Sequence, residues 1–105
     1  MSKGLDMNAL LKQAQQMQEQ MAKAQEELAA ETVESSAGGG MVTVRATGAG
    51  EITAITIDPK AIDPEDPELL EDMILAAVNE ALRSAQSLAQ SKLGGMTGGL
   101  GIPGL

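Results

Sequence analysis

From Met7 the apolar positions fall at Met7, Leu10, Ala14, Met17, Met21, Ala24 and Leu28, in alternating steps of three and four without a slip. That is a heptad seam, the spacing that keeps one stripe of an α-helix facing a partner. The stretch is rich in Ala, Gln, Glu, Leu and Met, all good helix formers, and Asp6 stands where an N-cap belongs. A helix over about residues 6–30 extends roughly 35–40 Å at about 1.5 Å per residue. A chain of 105 residues has little left to cover such a rod. The helix must therefore project as an arm or pair with another helix.

The rest of the chain reads as a small sheet followed by a second helix. Thr32, Val33 and Glu34 lead through Ser35–Gly40 into Met41–Thr47, which predicts two short strands joined by a glycine-rich loop. Gly48-Ala49-Gly50 turns the chain into Glu51–Ile57, whose β-branched content makes a third strand of an antiparallel meander. Val42 and Val44 share one face, as do Ile55 and Ile57, whereas Ile52 is out of phase and calls for a bulge or burial on both faces. Asp58-Pro59 ends that strand, and Asp66-Pro67-Glu68 supplies an N-cap, a first helical residue and a dipole-favoured acid. Leu70, Met73, Ile74, Ala77, Val78, Ala81, Leu82, Ala85, Leu88 and Ala89 continue at helical spacing until Gly94-Gly95, the expected stop. The fold class is thus α+β in the order helix, three strands, helix (αβββα). It forms one domain over residues 1–93, with a glycine-rich tail over 94–105 expected to be disordered. One helix covers one face of a three-stranded sheet, so the economical remedy for the rest is an intertwined homodimer with projecting helical arms.

The chain contains no Cys, His, Phe, Tyr or Trp. This excludes Cys–His and Ser–His–Asp nucleophiles, an imidazole proton shuttle and the usual N/S zinc sites. It also removes the aromatic platforms on which single-stranded bases stack, leaving a duplex backbone as the more suitable nucleic-acid target. The polar start and the short apolar run Met73–Val78 predict neither a signal peptide nor a membrane span, hence a cytoplasmic protein.

Net charge is −8, but it is unevenly placed. Residues 1–25 carry Lys3, Lys12 and Lys23 against Asp6 and Glu19, and residues 73–105 carry Arg83 and Lys92 against Glu80, so each end is locally +1. The middle, residues 26–72, sets twelve acids against Arg45 and Lys60. Because salt screens charges beyond about 8–10 Å, both ends are free to approach phosphate.

Other motifs carry less. Gly38-Gly39-Gly40 and Gly94–Gly99 lack the Gly-Lys-Ser/Thr ending of a phosphate loop. The acids from Asp58 to Asp72 lack the spacing of a calcium loop and are broken by prolines, so they read as a solvated, helix-capping cluster. No nucleophile or oxyanion site accompanies them; no catalytic residue, metal or cofactor is expected, and the chain does not read as an enzyme. Arg45 reads as a solvated or cross-strand-paired charge, and the Met7, Met17, Met21 stripe as packing. On the first helix Lys12, Gln16, Glu19 and Lys23 lie opposite the seam, flanked by Gln13, Gln15, Gln18, Gln20 and Gln25. On the second, Arg83, Ser84, Ser87, Gln90 and Ser91 form a similar polar face, with Lys92 at its apolar margin. By residue content alone these are ordinary solubilising faces.

Leu10–Met21 followed by Gln25-Glu26-Glu27-Leu28 closely resembles the opening of the YbaB/EbfC family. Gly40–Val44, Ile57-Asp58-Pro59, Leu69–Ile74 with Ala76–Ala81, and the Gly/Met/Pro-rich tail Gly94–Leu105 are similar to its later motifs, in order and over essentially the whole chain. The resemblance implies a tweezer-like homodimer that binds double-stranded DNA in the nucleoid with little sequence preference, its helical arms making contact. It also implies links to recombination and replication. On that reading two subunits join through their sheets and inner helix faces. Lys3, Lys12, Lys23, Arg83 and Lys92 neutralise phosphates, and Gln13, Gln16, Ser87 and Ser91 donate neutral hydrogen bonds. The alternative is a structural adaptor that docks on a recombination or replication protein without binding DNA.

Overall fold

The computed structural model describes residues 6–98, and for side chains residues 6–94; Lys3 and the last part of the tail lie outside the described residues. The order is helix α1 (Met7–Ala30), strands β1 (Thr32–Ala37), β2 (Val42–Thr47) and β3 (Ile52–Ile57), a single 3₁₀ turn at Pro59–Ala61, and helix α2 (Pro67–Gly98). This is the expected αβββα arrangement. The strands form one antiparallel sheet in the order β1-β2-β3.

Local chemistry sets each boundary. The Asp6 carboxylate accepts hydrogen bonds from the backbone N–H of Asn8 at 3.0 Å and of Ala9 at 3.4 Å, satisfying two of the donors that a helix start leaves open. Asp66 does the same for α2 through the N–H of Leu69 at 3.3 Å, with Pro67 as the first helical residue. The β1–β2 hairpin turns through Gly38, Gly39 and Gly40, all at positive φ, where side chains are strained. β1 is longer than the sequence suggests, because Ser35, Ser36 and Ala37 pair with Val44, Thr43 and Val42. The out-of-phase Ile52 is explained by a bulge: Arg45 pairs with Ala54 but Ala46 with Ile52, so Thr53 is the extra residue and Ile52 returns to the inner face.

Two expectations need correction. Gly94-Gly95 does not end α2, which continues to Gly98; a glycine costs a helix only about 1 kcal/mol relative to alanine, which is a weak stop by itself. The methionine stripe is not core either, since Met7, Leu10, Met17 and Met21 are 40–65% exposed.

The core is thin. Its buried cluster is Val42, Val44 and Ala46 of β2 against Ala77, Ala81 and Ala85 of α2, with Val33, Ile52, Ile57, Leu70, Met73, Ile74 and Val78 partly buried around it. The three alanines recur every four residues and give α2 a smooth stripe on which it lies against the sheet. α2 contacts chiefly β1 and β2, so Ile55 on β3 stays 47% exposed although its partner Val44 is sealed. Leu75 and Leu82 on α2 are also exposed.

α1 touches this body only at its C-terminal end. Ala24 and Leu28 are its buried residues. Leu28 and Leu88 close over Gly48, where a Cβ would meet the Leu28 carbonyl oxygen and side chain at 2.9 Å, and the Gly48 N–H donates to the Glu31 carbonyl at 2.9 Å. Beyond Ala24, towards its N-terminus, α1 is exposed at every position, a freestanding arm on a molecule 80 Å in its longest dimension.

Candidate nucleic-acid interface

The outer face of the arm follows directly from helical geometry. Lys12, Gln16, Glu19 and Lys23 fall within a narrow sector opposite the apolar seam, and Gln13 lies between that sector and the seam. All five are exposed. Lys12 and Lys23, about 16 Å apart along the axis at about 1.5 Å per residue, form no ion pair or hydrogen bond among the described residues. Glu19 lies between them, and Glu26, one turn beyond Lys23, is the other acid on that face.

The cations of α2 are held differently. Arg83 donates two hydrogen bonds to the Glu80 carboxylate, at 2.7 and 3.2 Å, and both side chains are more than half exposed. Such a surface pair contributes about 0–1 kcal/mol, so phosphate competes for Arg83 at small cost. Ser87 and Ser91 follow Arg83 on the same outward face and are exposed. Lys92 is committed to structure. Its ammonium lies 3.3 Å from Glu27 and 3.5 Å from Glu31, with the side chain only 24% exposed. The hydrogen bond to Glu27 holds its pKa above the ordinary lysine value, outweighing the opposing desolvation, with the charges of both acids adding to the rise. The sequence places Lys92 at the apolar margin of the polar face, with a phosphate contact implied by the family resemblance; the structure pairs it with Glu27 and Glu31, linking α2 to the base of the arm.

The two helices meet in a shallow groove of about 380 Å³ lined by Gln20, Lys23, Ala24, Glu27 and Lys92. Thus the arm face (Lys12, Gln13, Gln16, Lys23) and the α2 face (Arg83, Ser87, Ser91) are separate surfaces that adjoin at the arm base. Sequence reasoning missed the Lys92–Glu27–Glu31 link because its members are distant in the chain and no periodicity connects them. Arg45 is paired across the sheet with Glu34 at 2.9 Å, as its alternation on the strand suggests.

The acidic cluster sits at the other end. Glu68, Glu71 and Asp72 open α2, and at about 1.5 Å per residue Asp72 is roughly 30 Å from Lys92. Several screening lengths separate the cluster from the arm base at physiological salt. Among the described residues no group of His, Cys, Asp or Glu is arranged to hold a metal ion, and no helix is long and apolar enough to cross a membrane.

A one-layer sheet backed by a single helix, with a second helix standing free and bearing lysines and amides, defines a small α+β protein with a projecting helical arm. The chain belongs to the YbaB/EbfC DNA-binding family, whose profile matches residues 2–100. It is 56% identical over 102 residues to a nucleoid-associated protein of Pelotomaculum thermopropionicum, covering 97% of each chain. It is 57% identical over 103 residues to a nucleoid-associated protein of Acetivibrio thermocellus, covering 97% of this chain and 91% of that one. The crystal structure of an uncharacterized protein of Helicobacter pylori, HP0035, shares the fold with a TM-score of 0.79 at 24% identity, covering 89% of this chain and 98% of the other.

Proposed function

We infer that this protein is a non-enzymatic, cytoplasmic, nucleoid-associated protein that binds double-stranded DNA as a homodimer with little sequence specificity, serving nucleoid organisation, gene regulation or DNA protection. The observation that carries this reading is the outer face of α1. Two lysines without carboxylate partners and a row of exposed amides stand on a helix that leaves the body, and the acidic start of α2 is roughly 30 Å from the arm base. That face carries no arginine to grip a base edge in two-pronged fashion and a single asparagine, Asn8, at the tip of the arm, so contact is chiefly with the sugar-phosphate backbone.

The thin core supports the homodimer. The largest fully buried side chains are two valines, Val42 and Val44, while Ile55, Ile62, Leu69, Leu75 and Leu82 remain exposed on the body. A second copy laid over β3 and the exposed flank of α2 buries the apolar surface that one chain leaves open. Two arms then flank one duplex.

A gel-shift titration with a short duplex and its single strand, run from low to physiological salt, tests the reading. Duplex binding that weakens steeply as salt rises is expected. No duplex binding even at low salt would overturn it in favour of an adaptor for a recombination or replication protein. Ile55→Asp with Leu75→Asp should reduce the native mass to one copy; an unchanged mass would place the dimer contact elsewhere.

A further inference from the structure

The seam that opens the chain has no partner within it. Ala24 and Leu28 pack on the body, but Met7, Leu10, Ala14, Met17 and Met21 run along about 21 Å of helix in solvent. The charges around them are not arranged like those of an ordinary surface helix. With Met7 as position a of the heptad, the positions that flank a coiled-coil seam are Leu11, Gln18 and Gln25 on one side and Gln13, Gln20 and Glu27 on the other. Over the exposed part of the arm that flank is entirely uncharged. Every charge there, Lys12, Glu19 and Lys23, stands on the opposite side.

Like charges at these flanking positions would keep a helix from pairing with its own copy, because identical chains would bring them together. Here nothing of that kind is present, and glutamine amides both donate and accept across a like partner. We propose that the exposed seam of α1 pairs with the seam of α1 from another dimer, joining dimers arm to arm. The pairing rests on the body-joined dimer inferred above, whose two arms leave the shared body far enough apart to admit a duplex, so each seam is met by an arm from a neighbouring dimer. Lys12 and Lys23 remain outward on both sides of the paired rod, available to phosphate. A seam of about two heptads is short, so the junction is reversible and depends on concentration.

Sedimentation of the DNA-free full chain over a range of concentrations tests the junction, followed by interference because the chain has no aromatic residue. The wild-type mass should rise beyond two copies towards four and more, and Leu10→Glu with Met17→Glu should hold it at two; both positions are exposed and glutamate keeps the helix. Since the chain contains no cysteine, single-cysteine variants report the contact directly. Met17→Cys should form disulfides that lock species of four or more copies, and Lys12→Cys, on the opposite face, should not. A wild-type mass that stays at two copies throughout, or equal linking by both cysteines, overturns the proposal. Failure of the dimer reading looks different: Ile55→Asp with Leu75→Asp would then leave the mass unchanged whatever the arm substitutions do.

Discussion

Replacing Lys12 and Lys23 by glutamine isolates the arm's electrostatic contribution. The proposed dimer would present four such ammonium groups without carboxylate partners, and each phosphate neutralised adds about 0.9 to the slope of log affinity against log salt. Four contacts give a slope of about −3.6, which is about a 150-fold loss of affinity between 50 and 200 mM salt. Lys3, outside the described residues, adds at most one contact per copy and brings the slope to about −5.4. The double Lys12→Gln, Lys23→Gln variant should therefore bind duplex with a slope shallower than the wild type by about 3.6. Its fold should be unaffected, since both side chains are exposed and lack partners, and surface changes of this kind stay within about 0.5 kcal/mol. Fluorescence anisotropy with a labelled 20–30 base-pair duplex of mixed sequence, repeated at several salt concentrations, yields both slopes. A wild-type slope of about −3.6 to −5.4 that changes by less than about 1 in the variant would refute the assignment; it would mean that Arg83 and Lys92 leave their carboxylates to carry the contact.

Glu19→Gln removes the one acid between Lys12 and Lys23 and should tighten duplex binding several-fold at low salt, an increase that anisotropy shows fading as salt rises. Gly48→Ala drives a Cβ to 2.9 Å from the Leu28 carbonyl oxygen; backbone cannot give way as a side-chain tip does, so urea denaturation should show a loss of about 1–3 kcal/mol. Lys92 contributes to arm anchorage fully below the usual lysine pKa, because its pKa is raised in the folded state by Glu27 and Glu31, and that contribution is lost as pH climbs through the raised value. A dye on α1 should accordingly gain rotational freedom above about pH 10.5, and Lys92→Gln should show the same freedom at neutral pH; no difference between variant and wild type would show that Ala24 and Leu28 hold the arm alone.

Much of the architecture is legible in the residues because local rules and tertiary demands agree. Asp6 and Asp66-Pro67 mark the starts of α1 and α2 as capping chemistry requires, and the misplaced phase of Ile52 announces the bulge that Thr53 makes. Periodicity shows that Met7, Met17 and Met21 share a stripe, but only coordinates show whether anything covers it. The end of α2 is not legible, because a glycine pair argues against helix through propensity alone, and that preference is small. On the candidate interface, helical phase suffices to gather Lys12, Gln16 and Lys23 on one face. It says nothing of Lys92, whose partners Glu27 and Glu31 lie on another helix. Ionic partnership between distant segments leaves no trace in spacing.

The length of α2 gives the molecule a front and a back. Carboxylates crowd the end where that helix begins; at the other end Glu27 and Glu31 are tied to Lys92, and from there springs the rod carrying unclaimed ammonium groups. Near a polyanion such a body experiences a torque before it makes any contact, so encounters are sorted by orientation and the arm arrives first. Once seated, it turns a negative exterior outward. A filament of DNA dressed in this protein would thus keep the sign of its charge, and neighbouring filaments would still repel one another where no arms join them.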